Sequence, residues 1–123
     1  MECIKMTFVN TWGYTNLMEN VLVEDEANYD IGATVKCLSE DGNILICQYD
    51  KKTVHLLKSG WIARQAPEFI WGDKVKIVAK NIIATIELIC WHFNDRKYFY
   101  HLIDENGKKL SKRYYSDELE KVV

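Results

Sequence analysis

The sequence predicts an all-β fold with little helix, built from two packed copies of one small unit, and three observations carry that prediction. The chain repeats itself. Ile31-Gly32-Ala33-Thr34-Val35-Lys36, Ile44-Leu45-Ile46-Cys47, Asp50-Lys51-Lys52, His55-Leu56-Leu57 and Gly60 recur in order as Trp71-Gly72-Asp73-Lys74-Val75-Lys76, Glu87-Leu88-Ile89-Cys90, Asp95-Arg96-Lys97, His101-Leu102-Ile103 and Gly107. The offset grows from 40 to 47, and only between the matched blocks, as insertions into turns would make it grow. Such spacing is the mark of a tandem duplication. Apolar and polar residues alternate over short runs, the period of a half-buried strand. Turn residues such as Asp41-Gly42 and Asn106-Gly107 separate those runs, and both pairs favour tight hairpins.

Residues 1–28 stand outside the repeat as an N-terminal appendage, 29–67 form the first unit and 68–123 the second. Ile4–Val9 fits a strand, and Thr15–Glu26 fits a short helix with Leu17 and Val21 on one face; Val21-Leu22-Val23 fits a strand equally well. In the first unit, strands are expected over Thr34–Leu38, Ile44–Tyr49, Thr53–Leu57 and Trp61–Arg64. Ile44–Tyr49 is almost wholly apolar, which predicts cover on both of its faces. Ala66-Pro67-Glu68 marks the junction, because proline cannot donate to a ladder. In the second unit, strands are expected over Asp73–Lys80, Ile82–Trp91, Tyr98–Ile103 and Lys108–Arg113. Strict alternation puts Ile86, Leu88 and Cys90 on one face of the long strand and Glu87, Ile89 and Trp91 on the other. Ser116-Asp117-Glu118-Leu119 fits an N-capped helical turn with acids at its start.

At 123 residues, 48% of them hydrophobic, with six Gly and one Pro, the chain holds enough apolar surface for a core without metal or disulfide support. Units of about 40 residues are marginal alone, so the copies are expected to pack together. Cys3, Cys37, Cys47 and Cys90 show no CxxC spacing. Small buried hydrophobes in a reducing cytoplasm are the expectation, with a disulfide or zinc site as the alternative. Met1-Glu2-Cys3-Ile4-Lys5 is too polar for a signal peptide, and no run approaches the about 18 apolar residues of a membrane span. Net charge is −2, but residues 1–31 set six carboxylates against Lys5 alone, whereas Arg96, Lys97, Lys108, Lys109, Lys112 and Arg113 cluster late in the chain. An acidic pole and a mildly basic pole follow.

Ile70-Trp71-Gly72-Asp73-Lys74-Val75-Lys76-Ile77 resembles the opening strand of Src-homology-3-like small barrels, including the Tudor and KOW kinds, in which a Gly-Asp-x-Val-x-Ile run leads into a bent second strand. The closing strand and the terminal turn through Leu119 resemble that fold too, so the similarity covers about residues 30–120. The first copy departs from it, with Ala33 in place of the Asp and a shorter middle. Barrels of this kind bind peptides, methylated side chains, RNA, DNA or other subunits, so the resemblance implies binding but transfers no single function.

No hydrolase elbow, phosphate loop, dinucleotide fingerprint or zincin helix occurs, and the reading is a non-enzyme without cofactor. His55 and His101 share a repeat position, which duplication alone explains. Cys90 and His92, two apart on one strand, would suit half of a zinc site or a thiolate–imidazole pair, but no further ligand motif accompanies them. The aromatics say more. Trp91, Phe93, Tyr98, Phe99 and Tyr100 bracket one turn, and adjacent rings in Tyr98-Phe99-Tyr100 must point to opposite faces. The candidate binding surface is therefore Trp91, Phe93, Tyr98 and Tyr100, with Lys112, Arg113 and Tyr114 beside it. A cytoplasmic protein- or peptide-binding module is the leading expectation. Nucleic-acid binding through the Lys108–Tyr115 stripe is the alternative. A third reading is an immunity or antitoxin-like protein whose acidic segment at Glu24–Asp30 masks a basic partner. The core and the contact between the copies compete for the same rings.

Overall fold

Ten short strands make two antiparallel five-stranded sheets in the computed structural model, which describes residues 8–122. Among the described residues helical structure is confined to single 3-10 turns, and the protein is all-β. No helix among the described residues is long and apolar enough to cross a membrane. The chain divides into two compact units. The first comprises the described residues up to Ile31 together with Val35–Gln65; the second comprises Gly32–Thr34 and the residues from Ala66 on.

The first sheet holds β1 (Trp12–Tyr14), β2 (Val35–Asp41), β3 (Ile44–Tyr49), β4 (Lys52–Leu57) and β5 (Ile62–Arg64), in the order β4-β3-β2-β1-β5. The β2–β3 hairpin turns at Gly42, whose φ of 61° lies in the left-handed region that favours glycine. The strand over Ile44–Tyr49 falls where the sequence places it. Its Leu45, Cys47 and Tyr49 are buried while Ile44, Ile46 and Gln48 are half-buried, so it is a one-sided strand rather than one covered on both faces. Val35, Cys37, Leu45, Cys47, Val54 and Leu56 build the core of this unit.

The described residues 8–28 fall in the first unit. Trp12 pairs with both Lys36 and Arg64, which puts β1 between β2 and β5. The strand expected over Ile4–Val9 lies mostly outside the described residues, and Phe8 and Val9 are not in a strand. The helix expected over Thr15–Glu26 is absent. Two 3-10 turns, Met18–Asn20 and Val23–Asp25, flank an isolated bridge from Val21 to Leu56. Leu17, Met18 and Val23 are exposed, and Val21 is buried by its bridge to Leu56 rather than by a helix face. Thr15, Val21 and Asp25 are buried here, and the role of Asp25 is geometric. β4 is an edge strand. The Asp25 Oδ2 accepts from the His55 backbone N–H at 2.8 Å and lies 2.8 Å from His55 Nδ1, while the Leu22 N–H donates to the His55 carbonyl at 3.1 Å. Residues 21–25 thus strap the edge of β4 and satisfy backbone groups that would otherwise invite another chain. Asp25→Ala is expected to cost about 1–3 kcal/mol of stability by leaving that N–H unpaired. Asp25→Asn, which keeps an acceptor, should cost less. Denaturant unfolding checks both, and hydrogen exchange at the His55 amide should speed up only in the alanine variant.

The second sheet holds β6 (Lys74–Ile77), β7 (Ile82–His92), β8 (Lys97–Asp104), β9 (Tyr114–Tyr115) and β10 (Leu119–Lys121), in the order β10-β6-β7-β8-β9. Val75, Ile77, Ile86, Ile89, Tyr100 and Leu102 are its innermost residues. Ala33 bridges to Cys90 and the Thr34 N–H donates to the Ile89 carbonyl at 2.8 Å, so Gly32–Thr34 run beside the second half of β7.

Two expectations fail in this unit, each for a local reason. Alternation along β7 is broken by a bulge. Ile86 faces Leu102 and Leu88 faces His101, leaving Glu87 as the extra residue. Ile86 and Ile89 are consequently both buried, and Leu88, Cys90 and His92 turn outward. Lys108–Arg113 is not a strand; it meets β8 through the isolated bridge from Lys109 to Ile103, the Leu110 N–H donating to the Leu102 carbonyl at 2.9 Å and the Asp104 N–H donating to the Lys108 carbonyl at 2.8 Å. Lys108, Lys109, Ser111, Lys112 and Arg113 are all exposed, and without an inward apolar set the pairing does not extend beyond Leu110. The chain rejoins the sheet at Tyr114, whose ring is buried. The expected turn at Ser116–Glu118 is present as a 3-10 turn. The Glu118 Oε1 accepts the Tyr115 N–H at 3.0 Å, and that bond holds its carboxyl below the usual range.

The cysteines separate into two environments. Cys37 and Cys47 are register partners, both 0% exposed and both free thiols. Burial first, and then their mutual proximity, pushes the Cys47 thiol far above its ordinary value. Cys90 forms no disulfide and is half-exposed on the outward side of β7. It therefore does not match Cys47 in facing, although the repeat pairs them. A maleimide reagent at neutral pH is expected to modify Cys90 in the native protein while Cys37 and Cys47 react only on unfolding. Mass spectrometry of the labelled peptides reads this directly, and equal native rates at Cys47 and Cys90 would contradict it.

Candidate aromatic and cationic face

Parity along β8 decides which rings can meet a ligand. Tyr98, Tyr100 and Leu102 point into the second unit and are 4%, 0% and 1% exposed. Phe99 and His101, between them, point out. In register beside Phe99 lie Cys90 on β7 and Tyr115 on β9, and His92 pairs with Lys97. The outward side chains converge. The ring centroids of His92 and Phe99 are 6.0 Å apart, His92 and Tyr115 5.9 Å, Phe99 and His101 5.7 Å, and Phe99 and Tyr115 6.4 Å, all edge to face. Edge-to-face pairing suits the positive ring edge against the negative face.

Two cations cover this cluster. The Lys97 Nζ lies 4.2 Å from the Tyr115 centroid and the Arg113 Cζ 4.8 Å from that of Phe99. Both distances are within cation–π range. The Tyr115 hydroxyl donates to Asp95 Oδ2 at 3.0 Å, and the Asp95 N–H donates to His92 Nδ1 at 3.0 Å, tying the β7–β8 turn to the cluster. His101 is held below its ordinary pKa, first by burial and then by Arg113.

The residues singled out by sequence divide into groups. Tyr98, Tyr100 and Tyr114 are core residues rather than ligand contacts, because the inward parity of β8 and β9 buries their rings; Tyr114 is 2% exposed. The Tyr100 hydroxyl accepts from the Phe69 N–H and the Ser116 hydroxyl, both at 3.4 Å. Trp91 belongs to the inward side as well, packed edge to face on Tyr98 at 5.0 Å and half-buried near the end of β7. Phe93 is 76% exposed in the following turn. Arg113 joins the outer face over Phe99. Lys112 meets Tyr114 elsewhere, its Nζ 5.0 Å from that ring and 3.4 Å from Glu118 Oε2. That pair edges a cavity of about 280 Å³ lined also by Ile77, Val78 and Asp117. The face proper consists of His92, Lys97, Phe99, His101, Arg113 and Tyr115. A sequence signal for it existed. Within Tyr98–Ile103 the apolar Leu102 and polar His101 set the parity, and that parity sends Phe99 outward.

The matched histidines diverge. His55 is bonded to Asp25 in the strap, whereas His101 stacks on Phe99. Cys90 and His92 share the outer side of β7, but among the described residues no group of three or more His, Cys, Asp or Glu side chains could hold a metal ion.

These features define an all-β protein of two five-stranded sheets, the second carrying an outward ring cluster under cations. Residues 23–120 match the model of a family of unknown function, DUF6960, and the chain belongs to that family. No curated protein and no solved structure matches it.

Proposed function

We propose that this protein is a cytoplasmic, non-enzymatic binding module, made of two tandem Src-homology-3-like barrels, that holds a protein or peptide segment on the outer face of β7, β8 and β9. The duplication is supported by Gly32 and Gly72, which share a φ of 86° and 85° and each precede a fully buried valine, Val35 or Val75, by three residues. The barrel class is supported by the second sheet, where the last strand β10 returns to pair with the first, β6, after a single 3-10 turn. The buried free thiols Cys37 and Cys47 support a reducing compartment.

The observation that carries the binding role is the outward cluster of Phe99, Tyr115 and His92, half-buried rings gathered on the outer side of the sheet next to the exposed cations Lys97 and Arg113. Nucleic acid is a weaker fit. Two cations of the basic stripe are paired, Lys109 with Glu87 at 3.2 Å and Lys112 with Glu118 at 3.4 Å. Phosphate binding draws on cations free to release counterions. The masking reading also loses ground, because Asp25 and Asp30 of the acidic segment are engaged with His55 and with the Tyr49 hydroxyl.

The test is affinity capture from the native host with half of the sample treated with nuclease. One protein partner should persist through nuclease treatment and be lost with Phe99→Ala, a variant whose melting temperature is measured alongside. A partner released by nuclease, or retained in full by a folded Phe99→Ala protein, would refute the proposal.

A further inference from the structure

Resting on that reading, we infer that the segment held on the outer face of β7, β8 and β9 is an acidic one, an extended stretch of another protein carrying Asp or Glu side chains. The half-buried rings do not offer bare faces. Lys97 stands over Tyr115 and Arg113 over Phe99, so an approaching segment meets cations backed by rings. Neither cation has a carboxylate within ion-pair distance among the described residues, in contrast to Lys109 and Lys112, which do. A cation held at a ring has lost some of its freedom before any partner arrives, so less is lost when it binds. Arg113 also presents a planar fork that matches a carboxylate with two parallel hydrogen bonds.

The other groups around this face sharpen the choice. His92 and His101 lie on it, Arg96 is exposed in the adjoining turn, and the depressed pKa of His101 reflects Arg113 and Lys109 as well as burial. Three carboxylates border it. Asp95 accepts the Tyr115 hydroxyl and lies 3.5 Å from His92 Nδ1, Glu87 is paired with Lys109, and Glu118 with Lys112. A nucleic-acid backbone carries a charge at every phosphate and would run past those carboxylates at close quarters. A peptide places its charges at intervals and can set them over Lys97 and Arg113 alone. A proline-rich segment would have to displace both cations to stack on the rings.

The experiment uses the full chain and two arrays of 12-residue peptides. One array interleaves Asp and Glu with apolar residues, and the other replaces them by Asn and Gln at the same positions; a mixed-sequence single-stranded oligonucleotide is the third probe. Binding is read by fluorescence anisotropy, and its location by amide shift changes. The acidic array should contain peptides that bind at least about tenfold tighter than their Asn and Gln counterparts and shift the amides of β8 and β9. The double variant Lys97→Gln, Arg113→Gln should lose that margin, while Lys74→Gln on β6 should keep it. If the neutral array binds the same face equally well, the acidic partner is wrong and the binding module stands. If neither array binds there, both fall. Tighter binding of the oligonucleotide than of any peptide would overturn the acidic-segment assignment and move the partner to nucleic acid.

Discussion

Tyr100→Ala is expected to lower the stability of the protein by about 3–5 kcal/mol, the range for removing a large buried aromatic. The ring is 0% exposed and packs edge to face on Phe69 with centroids 5.5 Å apart, so its loss leaves a cavity lined by β7, β8 and their neighbours. Tyr100→Phe separates ring from hydroxyl. The two hydrogen bonds at 3.4 Å are long, so deleting them should cost only about 0.5–1 kcal/mol. Urea unfolding of the two variants, read with the m-value, measures both. The pair also bears on function. Tyr100→Ala will abolish binding through the fold, whereas a folded Tyr100→Phe should bind normally. A Tyr100→Ala loss below 1 kcal/mol would place the ring on a surface after all.

Gly13→Ala is the second large effect, and its cause is close approach. Gly13 sits in β1 between Val35 of β2 and Ala63 of β5. A Cβ there would lie 2.5 Å from the Ile62 carbonyl oxygen and 2.6 Å from a ring carbon of Trp61. The obstacle is partly backbone, so the strands must separate to admit one methyl group. Overpacking of this kind costs about 1–3 kcal/mol, and the upper end is expected because β5 has no partner in the sheet other than β1. Thermal unfolding checks the loss. Amide exchange should rise first in β1 and β5, and a variant with wild-type stability would show that β5 is not held as described.

The same glycine marks the limit of what could be read locally. Trp12-Gly13-Tyr14 offers three residues with a glycine in the middle, too short and too weak a pattern to announce a strand. It becomes one because β2 and β5 both lack a neighbour on that side. Likewise the buried Asp25 carries no helical signal; its burial makes sense only once the edge of β4 exists to be capped. The site was half legible. Its location around the β7–β8 turn and β9 followed from where the rings cluster along the chain. Three of the seven residues first assigned to it, Tyr98, Tyr100 and Tyr114, proved to be core. The outward Phe99 and Tyr115 were visible as aromatics, but their facing was not.

From sequence alone the all-β class, the strand over Ile44–Tyr49 and the glycine turns at Gly42 and Gly107 were determined. Each depends on period-two patterning or on the φ a turn requires, and both act over a few residues. The tertiary structure alone decided the bulge at Glu87, the insertion of β1 between β2 and β5, and the assignment of Gly32–Thr34 to the second unit. Register is a property of two strands rather than one. A single extra residue reverses the facing of everything beyond it, as it does for Cys90 and His92, and only the partner strand reveals where that residue sits.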